Sequence, residues 1–133
     1  MSPASVLIVE DEKDIRDVLS EMIEMFGYRV ALLENGLDAW NRISAESFEI
    51  VVTDLGLPGL NGIDLLKRMR AHGIDIPVLI ITGVGFESKL HEFTGFMSWD
   101  YLQKPFKMND LKEKLSKLAE SRIKNAPKAL KRH

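Results

Sequence analysis

The chain has 133 residues, enough for one domain around one core, and 45% of them are apolar, enough to bury a sheet beneath helices. It has no cysteine, which excludes disulfides, thiolate metal sites and cysteine nucleophiles. A charged fraction of 29% and a net charge of −2 describe an ordinary globular surface, no stretch is apolar and long enough to cross a bilayer, and Met1–Ser5 lack the basic start and apolar core of a signal peptide, so a cytoplasmic location is expected.

The net charge hides an asymmetry. From Lys104 onward there are ten Lys and Arg against three Asp and Glu; the rest of the chain carries eight against seventeen. A basic last helix and tail on an acidic body could suit a partner surface, or be a solvated face.

In chain order, Val6–Val9 is a short β-branched run that ends in Glu10-Asp11. Ile15, Val18, Leu19, Met22, Ile23 and Phe26 then recur on one face of a helix, which Gly27 is placed to end. Arg29–Leu33 reads as a second strand, Asn35-Gly36 as a turn, and 37–44 as a short helix carrying Leu37, Trp40 and Ile43. A third strand from Ile50 ends at Asp54, and Leu57-Pro58-Gly59 suits a type II turn. Asn61 can cap a helix holding Ile63, Leu66, Met69 and Arg70, which ends near Gly73. The fourth strand is Pro77–Thr82. A glycine-punctuated loop leads to a helix with Phe86, Leu90, Phe93 and Met97. The fifth strand is short, about Asp100–Gln103, and runs into Lys104. A last helix carries Met108, Leu111, Leu115, Leu118 and Ala119, with lysines on its other faces.

Five strands alternating with five helices imply βαβ units, right-handed crossovers and a parallel sheet buried on both faces. In such a sheet the carboxyl ends of the strands share one edge, where ligands bind. Glu10, Asp11, Asp54, Thr82 and Lys104 are therefore expected to meet in one cleft, a set suited to a divalent metal and a phosphoryl group. One domain over 1–124 and a basic tail or linker stub over 125–133 are expected. His72, His91 and His133 lack metal-ligand spacing. Trp99 is placed either in the core or at a partner contact.

From about Val6 to about Leu118 the chain resembles the receiver domain of two-component response regulators, of the chemotaxis-regulator-like kind, whether stand-alone or cut from a longer protein. The matching elements are Glu10-Asp11, Asp54 within Asp54-Leu-Gly-Leu-Pro58-Gly-Leu-Asn-Gly62, Thr82-Gly83, and Asp100-Tyr101-Leu-Gln-Lys104-Pro105-Phe106. The resemblance implies a doubly wound α/β fold: a five-stranded parallel sheet of order 2-1-3-4-5 with five helices, the flavodoxin-like receiver fold.

It also implies roles. Asp54 would accept a phosphoryl group from a phosphohistidine, on a sensor histidine kinase or a histidine phosphotransfer protein. Asp11 and Asp54 would bind Mg²⁺ with the backbone carbonyl of Gly56, and Glu10 would act mainly through metal-bound water. Lys104 would pair with a phosphoryl oxygen and Thr82 would donate its hydroxyl to another. A cis Lys104–Pro105 bond would aim Lys104 inward. Thr82 and Tyr101 would form the switch: the hydroxyl drawn to the phosphoryl group vacates space for the Tyr101 ring. The implied protein is a regulator, acting as an enzyme only on its own phosphoryl group. It would control a downstream protein target or a covalently linked output domain, with no direct nucleic-acid binding and no membrane insertion. A homodimer, where one forms, is expected through the face containing Trp99, Tyr101 and the last helix.

Some positions depart from the family pattern. Glu10 stands where Asp is commoner, Gly83 where Ala is usual, and Met97 where a small residue precedes strand five, so the preceding helix is expected to end differently. Gly56 and Val84 flank the acceptor and neither side chain can hold an attacking water, so slow self-dephosphorylation is expected.

Rival classes fit less well. Gly83-Val-Gly85-Phe-Glu-Ser88 lacks the last glycine of a dinucleotide fingerprint and follows the wrong strand. An aspartate-based phosphatase needs a second Asp where Gly56 stands. The acidic Glu10-Asp11-Glu12 turn would repel a flavin phosphate. The remaining alternative is a protein-interaction module with a receiver fold that works without phosphorylation.

Overall fold

The computed structural model describes residues 5–83 and 85–124. Val84, and the tail 125–133 expected as a linker stub, lie outside the described residues. In chain order the elements are β1 (Ser5–Val9), α1 (Lys13–Met25), β2 (Arg29–Leu33), α2 (Gly36–Ala45), β3 (Ile50–Asp54), α3 (Gly62–Ala71), β4 (Val78–Thr82), a 3-10 helix (Phe86–Phe93), β5 (Trp99–Gln103) and α4 (Met108–Lys124). All strand pairs are parallel, and the sheet order is β2-β1-β3-β4-β5. The expected doubly wound fold is present.

The apolar runs form strands because their side chains are covered on both faces. Leu7, Val9, Val51, Val78 and Ile80 pack with Ile43 of α2, Leu66 and Met69 of α3, and Phe86 and Phe93 of the 3-10 helix. Val6, Ile8, Ile50, Val52, Leu79 and Ile81 face the other way, onto Leu19 and Ile23 of α1 and Leu111 and Leu115 of α4. Successive residues alternate between two cores, as strand geometry requires.

Local signals set the loops at the functional edge. Gly59 has φ +77, the left-handed conformation that the expected type II turn needs. Asn61 caps α3 by accepting from the Asp64 N–H at 2.9 Å. Gly62 lies against the backbone of β3: a Cβ there would sit 2.8 Å from the Asp54 carbonyl oxygen.

Four expectations change. Asn35-Gly36 is not a free turn: Asn35 caps α2, accepting from the Asp38 N–H at 2.8 Å, and Gly36 opens the helix. Leu37, placed on that helix's inward face, is 52% exposed. Val18, placed on the inward face of α1, is 53% exposed because the apolar stripe is wider than the strip of sheet that α1 covers. The helix expected to run through Met97 is a 3-10 helix ending at Phe93; Gly95, at φ +88, turns the chain away, and Met97 is 67% exposed. Phe86 and Phe93 anchor that helix in the core, and Trp99 stacks on Phe93 with ring centroids 4.2 Å apart.

Candidate functional site at the strand carboxyl ends

Parallel pairing brings the ends of β1, β3, β4 and β5 to one edge. Thr53 is in register with Val9 of β1, Asp54 with Ile81 of β4, and Thr82 with Gln103 of β5. The last residues of β3 and β4, Asp54 and Thr82, and the residues just after β1 and β5, Glu10 and Lys104, are thereby carried to one edge. One oxygen from each of the Glu10, Asp11 and Asp54 carboxylates lies within 4.8 Å of the other two. The Lys104 Nζ is 3.8 Å from the Asp54 Oδ2. The Gly56 N–H donates to the Asp54 Oδ1 at 3.3 Å. The Lys104 N–H donates to the Thr82 carbonyl at 2.7 Å, tying β5's exit to β4, and the Lys104–Pro105 peptide bond is cis.

The three acids sit in different environments. Asp11 is exposed, Asp54 is half-buried and Glu10 is fully buried. Burial first, then the neighbouring Asp54 carboxylate, pushes the Glu10 carboxyl up to about 7; the Glu12 N–H and Lys104 pull the other way. The Glu10 Oε1 accepts from Glu12 N–H at 3.2 Å. Its Oε2 is the one buried side-chain polar atom without a partner among the described residues. A buried oxygen left unpaired beside two more carboxylates is a deficit that a hard divalent cation satisfies. The donors are all oxygen, which suits Mg²⁺ and not a nitrogen- or sulfur-seeking metal.

Thr82 and Lys104 line different hollows of the surface. With Asp54, Gly56, Phe86 and Lys89, Thr82 lines a cavity of about 580 Å³ between the β3–α3 loop and the 3-10 helix. The Thr82 hydroxyl has only a long contact, 3.5 Å, to the Gly83 carbonyl. Lys104, Pro105 and Phe106 instead border a groove completed by Ile15, Val18 and Met22 of α1. Tyr101 lies away from the acids: its ring is 4.8 Å from that of Phe86, and the Lys114 Nζ lies over it at 5.6 Å.

Two arginines whose roles the sequence pattern did not show brace the sheet, Arg16 at the site and Arg70 at the opposite edge, where β4 and β5 begin. Arg16 donates to the Glu10 carbonyl at 2.9 Å and pairs with Glu34 at 3.3 Å, bracing the β1 exit. Arg70, placed only on the α3 apolar face, donates to the carbonyls of Ile74 at 2.8 Å, Met97 at 3.0 Å and Ser98 at 3.1 Å. Phe86 stands between the cavity and Tyr101. An arginine at the inner face of a helix is the one sequence signal that could have marked Arg16 and Arg70 as braces.

Fold and site together define a receiver: a doubly wound sheet with an acid cluster, a hydroxyl and a lysine at its carboxyl edge. The chain belongs to the response regulator receiver domain family, whose profile it matches over residues 6–116. Members of this family are the phosphoacceptor regulators of two-component systems; they bind Mg²⁺ at an acidic site and interact with histidine kinases and output domains. The chain is 33% identical to the transcriptional regulatory protein FixJ of Bradyrhizobium diazoefficiens over 126 residues, 95% of this chain and 60% of FixJ. It is 31% identical to sporulation initiation phosphotransferase F of Bacillus subtilis, over 88% of this chain and 94% of that protein. It therefore spans less than two thirds of some relatives and nearly all of others. Among solved structures, the Francisella response regulator 1452 receiver domain superposes with a TM-score of 0.80 at 29% identity, over 88% of this chain and 97% of that one. The receiver domain of the sensor histidine kinase PA1611 from Pseudomonas aeruginosa, solved with a magnesium ion coordinated in the active site cleft, also gives 0.80, at 27% identity over 90% and 99%. No helix among the described residues is long and apolar enough to cross a membrane.

Proposed function

We propose that this receiver accepts a phosphoryl group on Asp54 from the phosphohistidine of a sensor kinase or histidine phosphotransfer protein, and so switches the surface it offers a downstream target or linked output domain. The observation that carries this reading is the unpaired buried oxygen of Glu10 within the Glu10–Asp11–Asp54 cluster. A bound Mg²⁺ would neutralise charge on the phosphoryl oxygens; Glu10, Asp11, Asp54 and the Gly56 carbonyl are the groups that would hold it. Asp54, with Oδ1 accepting from the Gly56 N–H and Oδ2 paired at 3.8 Å with Lys104, is the carboxylate that would make the in-line attack. The Asp54 Oδ–P bond forms as the P–N bond breaks, and the electron pair returns to the imidazole. Lys104 shifts from Asp54 to a phosphoryl oxygen, and Thr82, weakly held at 3.5 Å, is free to donate to another.

The donor's approach is supported by the groove of Ile15, Val18, Met22, Pro105 and Phe106, which borders Lys104 and offers an apolar face to a partner helix. The exposed Met97 and half-buried Trp99 and Tyr101 support the opposite side, with α4, as the face that a target or a second copy reads. Gly56 supplies no side chain to an attacking water, which supports slow loss of the phosphoryl group.

The test is intact mass after incubation with Mg²⁺ and acetyl phosphate, with Asp54→Ala alongside. A gain of one phosphoryl group in the parent only is the expected result. A folded parent that gains nothing points instead to an interaction module that works without phosphorylation.

A further inference from the structure

The two outer strands of the sheet are finished differently. At β5 the Lys104 N–H donates to the Thr82 carbonyl, so by alternation the backbone groups of Leu102 also face β4 and those of Tyr101 face outward. That outward N–H is closed off: it donates to the Asp100 Oδ1 at 2.8 Å, and Lys114 holds the same oxygen at 3.0 Å. At β2 the Leu33 carbonyl accepts from the Glu10 N–H, so the backbone groups of Val30 and Leu32 are the ones that face outward. Among the described residues nothing pairs with them. Between Arg29 and Glu34 the strand reads Val-Ala-Leu-Leu, with no charge and no proline, and its register with β1 is unbroken by a bulge. The devices that keep an outer strand from pairing are missing here. Of the exposed large apolar side chains, Leu32 lies in β2 and Met25 and Leu37 lie within four residues of its ends.

We propose that β2 docks against β2 of a second copy of this chain, the two strands running antiparallel about Ala31, to give a closed two-fold dimer with one continuous sheet. Three features select this occupant and this register. With the axis at Ala31, Val30 stands opposite Leu32 of the second copy, and Leu32 opposite its Val30. Both are the residues whose backbone groups face outward, so each pair exchanges its N–H and C=O in the hydrogen-bonded pattern of an antiparallel ladder. Ala31, the smallest side chain of the strand, falls at the close, non-hydrogen-bonded position on the axis. Arg29 and Glu34 bound the strand at opposite ends, both exposed. Antiparallel pairing brings each to the end where the other copy carries the opposite charge, whereas parallel pairing would set like charges side by side. The same patch serves both copies, so the contact closes on itself. It lies on the far side of the sheet from β5, and so leaves Trp99, Tyr101 and the last helix uncovered. One strand pair is a small interface, so the dimer should be weak and reversible.

The test is sedimentation equilibrium of the full chain from about 10 μM to about 1 mM, a range that captures weak association. The mass is expected to rise with concentration from one chain toward two and to stop there. Leu32→Lys, which sets an ammonium on the open strand, should weaken association by more than about tenfold. Arg29→Glu, at an exposed position that leaves the core untouched, should weaken it by roughly threefold or more. The chain has no cysteine, so a single introduced thiol reports the register. Under copper–phenanthroline oxidation Ala31→Cys should give a disulfide-linked dimer, its Cα atoms about 4.5 Å apart across the axis. Arg29→Cys is more exposed but stands ~13 Å along the strand from its counterpart, and should not cross-link. Urea unfolding confirms that each variant is folded. A parent that stays a single chain overturns the inference and leaves the open strand to another protein. So does a mass that grows past two chains, or cross-linking of Ala31→Cys no faster than of Arg29→Cys. A dimer lost in Met97→Lys but kept in Leu32→Lys also overturns it, and places the contact on the Trp99 face.

Discussion

The two halves of the functional edge are built differently. At the β1–β3 half, three carboxylates are pressed together, one of them fully buried, and the backbone around them is tightly held: Gly62 packs on the Asp54 carbonyl, and Arg16 grips the Glu10 carbonyl. At the β4–β5 half there is no such charge density. Glycines open the loop after Thr82, a 3-10 helix replaces the expected longer helix, and four aromatic rings touch in sequence: Phe86 on Tyr101 and on Phe93, Phe93 on Trp99, Trp99 on Tyr101. One half stores electrostatic repulsion in a rigid frame, which favours ligand binding. The other has a short 3-10 helix, whose hydrogen-bond geometry is poorer than an α-helix's, packed through ring contacts, an arrangement that favours a change of shape. A phosphoryl group on Asp54 would act on both, since the cavity it enters is walled by Phe86.

The largest expected effect tests whether the aromatic half is core or ornament. Phe86 is 2% exposed and touches two other rings. Phe86→Ala should lower stability by about 3–5 kcal/mol, measured by urea unfolding. Phe86→Leu should recover most of the loss. A cost for Phe86→Ala below about 1 kcal/mol would show that the ladder can relax around the gap and does not transmit.

The charged half should show itself through pH. Glu10 has its carboxyl raised to about 7 by burial and Asp54, against 4.5 for an unperturbed glutamate. Between those values the folded chain keeps a proton that the unfolded chain has lost, so the metal-free protein should lose stability as pH rises through that window, by roughly 3 kcal/mol in all. Glu10→Gln should flatten this slope, and Mg²⁺, which replaces the proton, should stabilise the parent more at pH 8 than at pH 5. A metal-free stability that is level across the window would remove the electrostatic contrast between the halves.

The difference between the halves also decided what could be read from the sequence. Glu10, Asp11, Asp54, Thr82 and Lys104 were legible because each ends a continuous apolar run, and a buried parallel strand leaves little choice about where its last residue points. Both cores follow from the same runs, whereas the strand order was implied by the resemblance to receiver domains and not by the runs themselves. The 3-10 helix was not legible: Phe86, Leu90 and Phe93 fit an α-helical face, and over eight residues periodicity does not separate the two helices. The exposure of Val18 and Met97 depends on what neighbouring elements cover, which no local pattern records. The burial of Glu10 was hidden as well, because an acid at a strand end reads as a solvated ligand until its neighbours are in place.

Arg70 ties α3 to the entry of β5, at the edge of the sheet opposite the acids, and it should be the next most sensitive position. Its guanidinium, held below its usual pKa by burial, ties α3 to the carbonyls of Met97 and Ser98 just before β5. Ser98 has φ +58, a conformation a serine adopts only when its surroundings fix it. Arg70→Met keeps the stem and removes the donors; a loss of about 2 kcal/mol is expected, with a shift in Trp99 emission as the β5 entry loosens. An unchanged emission spectrum would place the support of β5 elsewhere.

The smallest expected effect lies at the outer end of the ladder. Lys114 pairs with both oxygens of Asp100 at 3.0 Å while its Nζ lies over the Tyr101 ring. The pair is a third exposed, so solvent screens it, and Lys114→Met should cost only about 0.5 kcal/mol of stability. Its consequence for the switch should be larger than for the fold. The cation holds the ring on the side away from Asp54, and any movement of Tyr101 toward Thr82 must give up that contact. Removing it should therefore favour the switched arrangement, so that phosphorylation of Lys114→Met produces a smaller further change in aromatic emission than in the parent. Equal changes in the two proteins would mean that Tyr101 does not move away from Lys114 when Asp54 is modified, and that the two halves communicate, if at all, through Phe86 and the 3-10 helix alone.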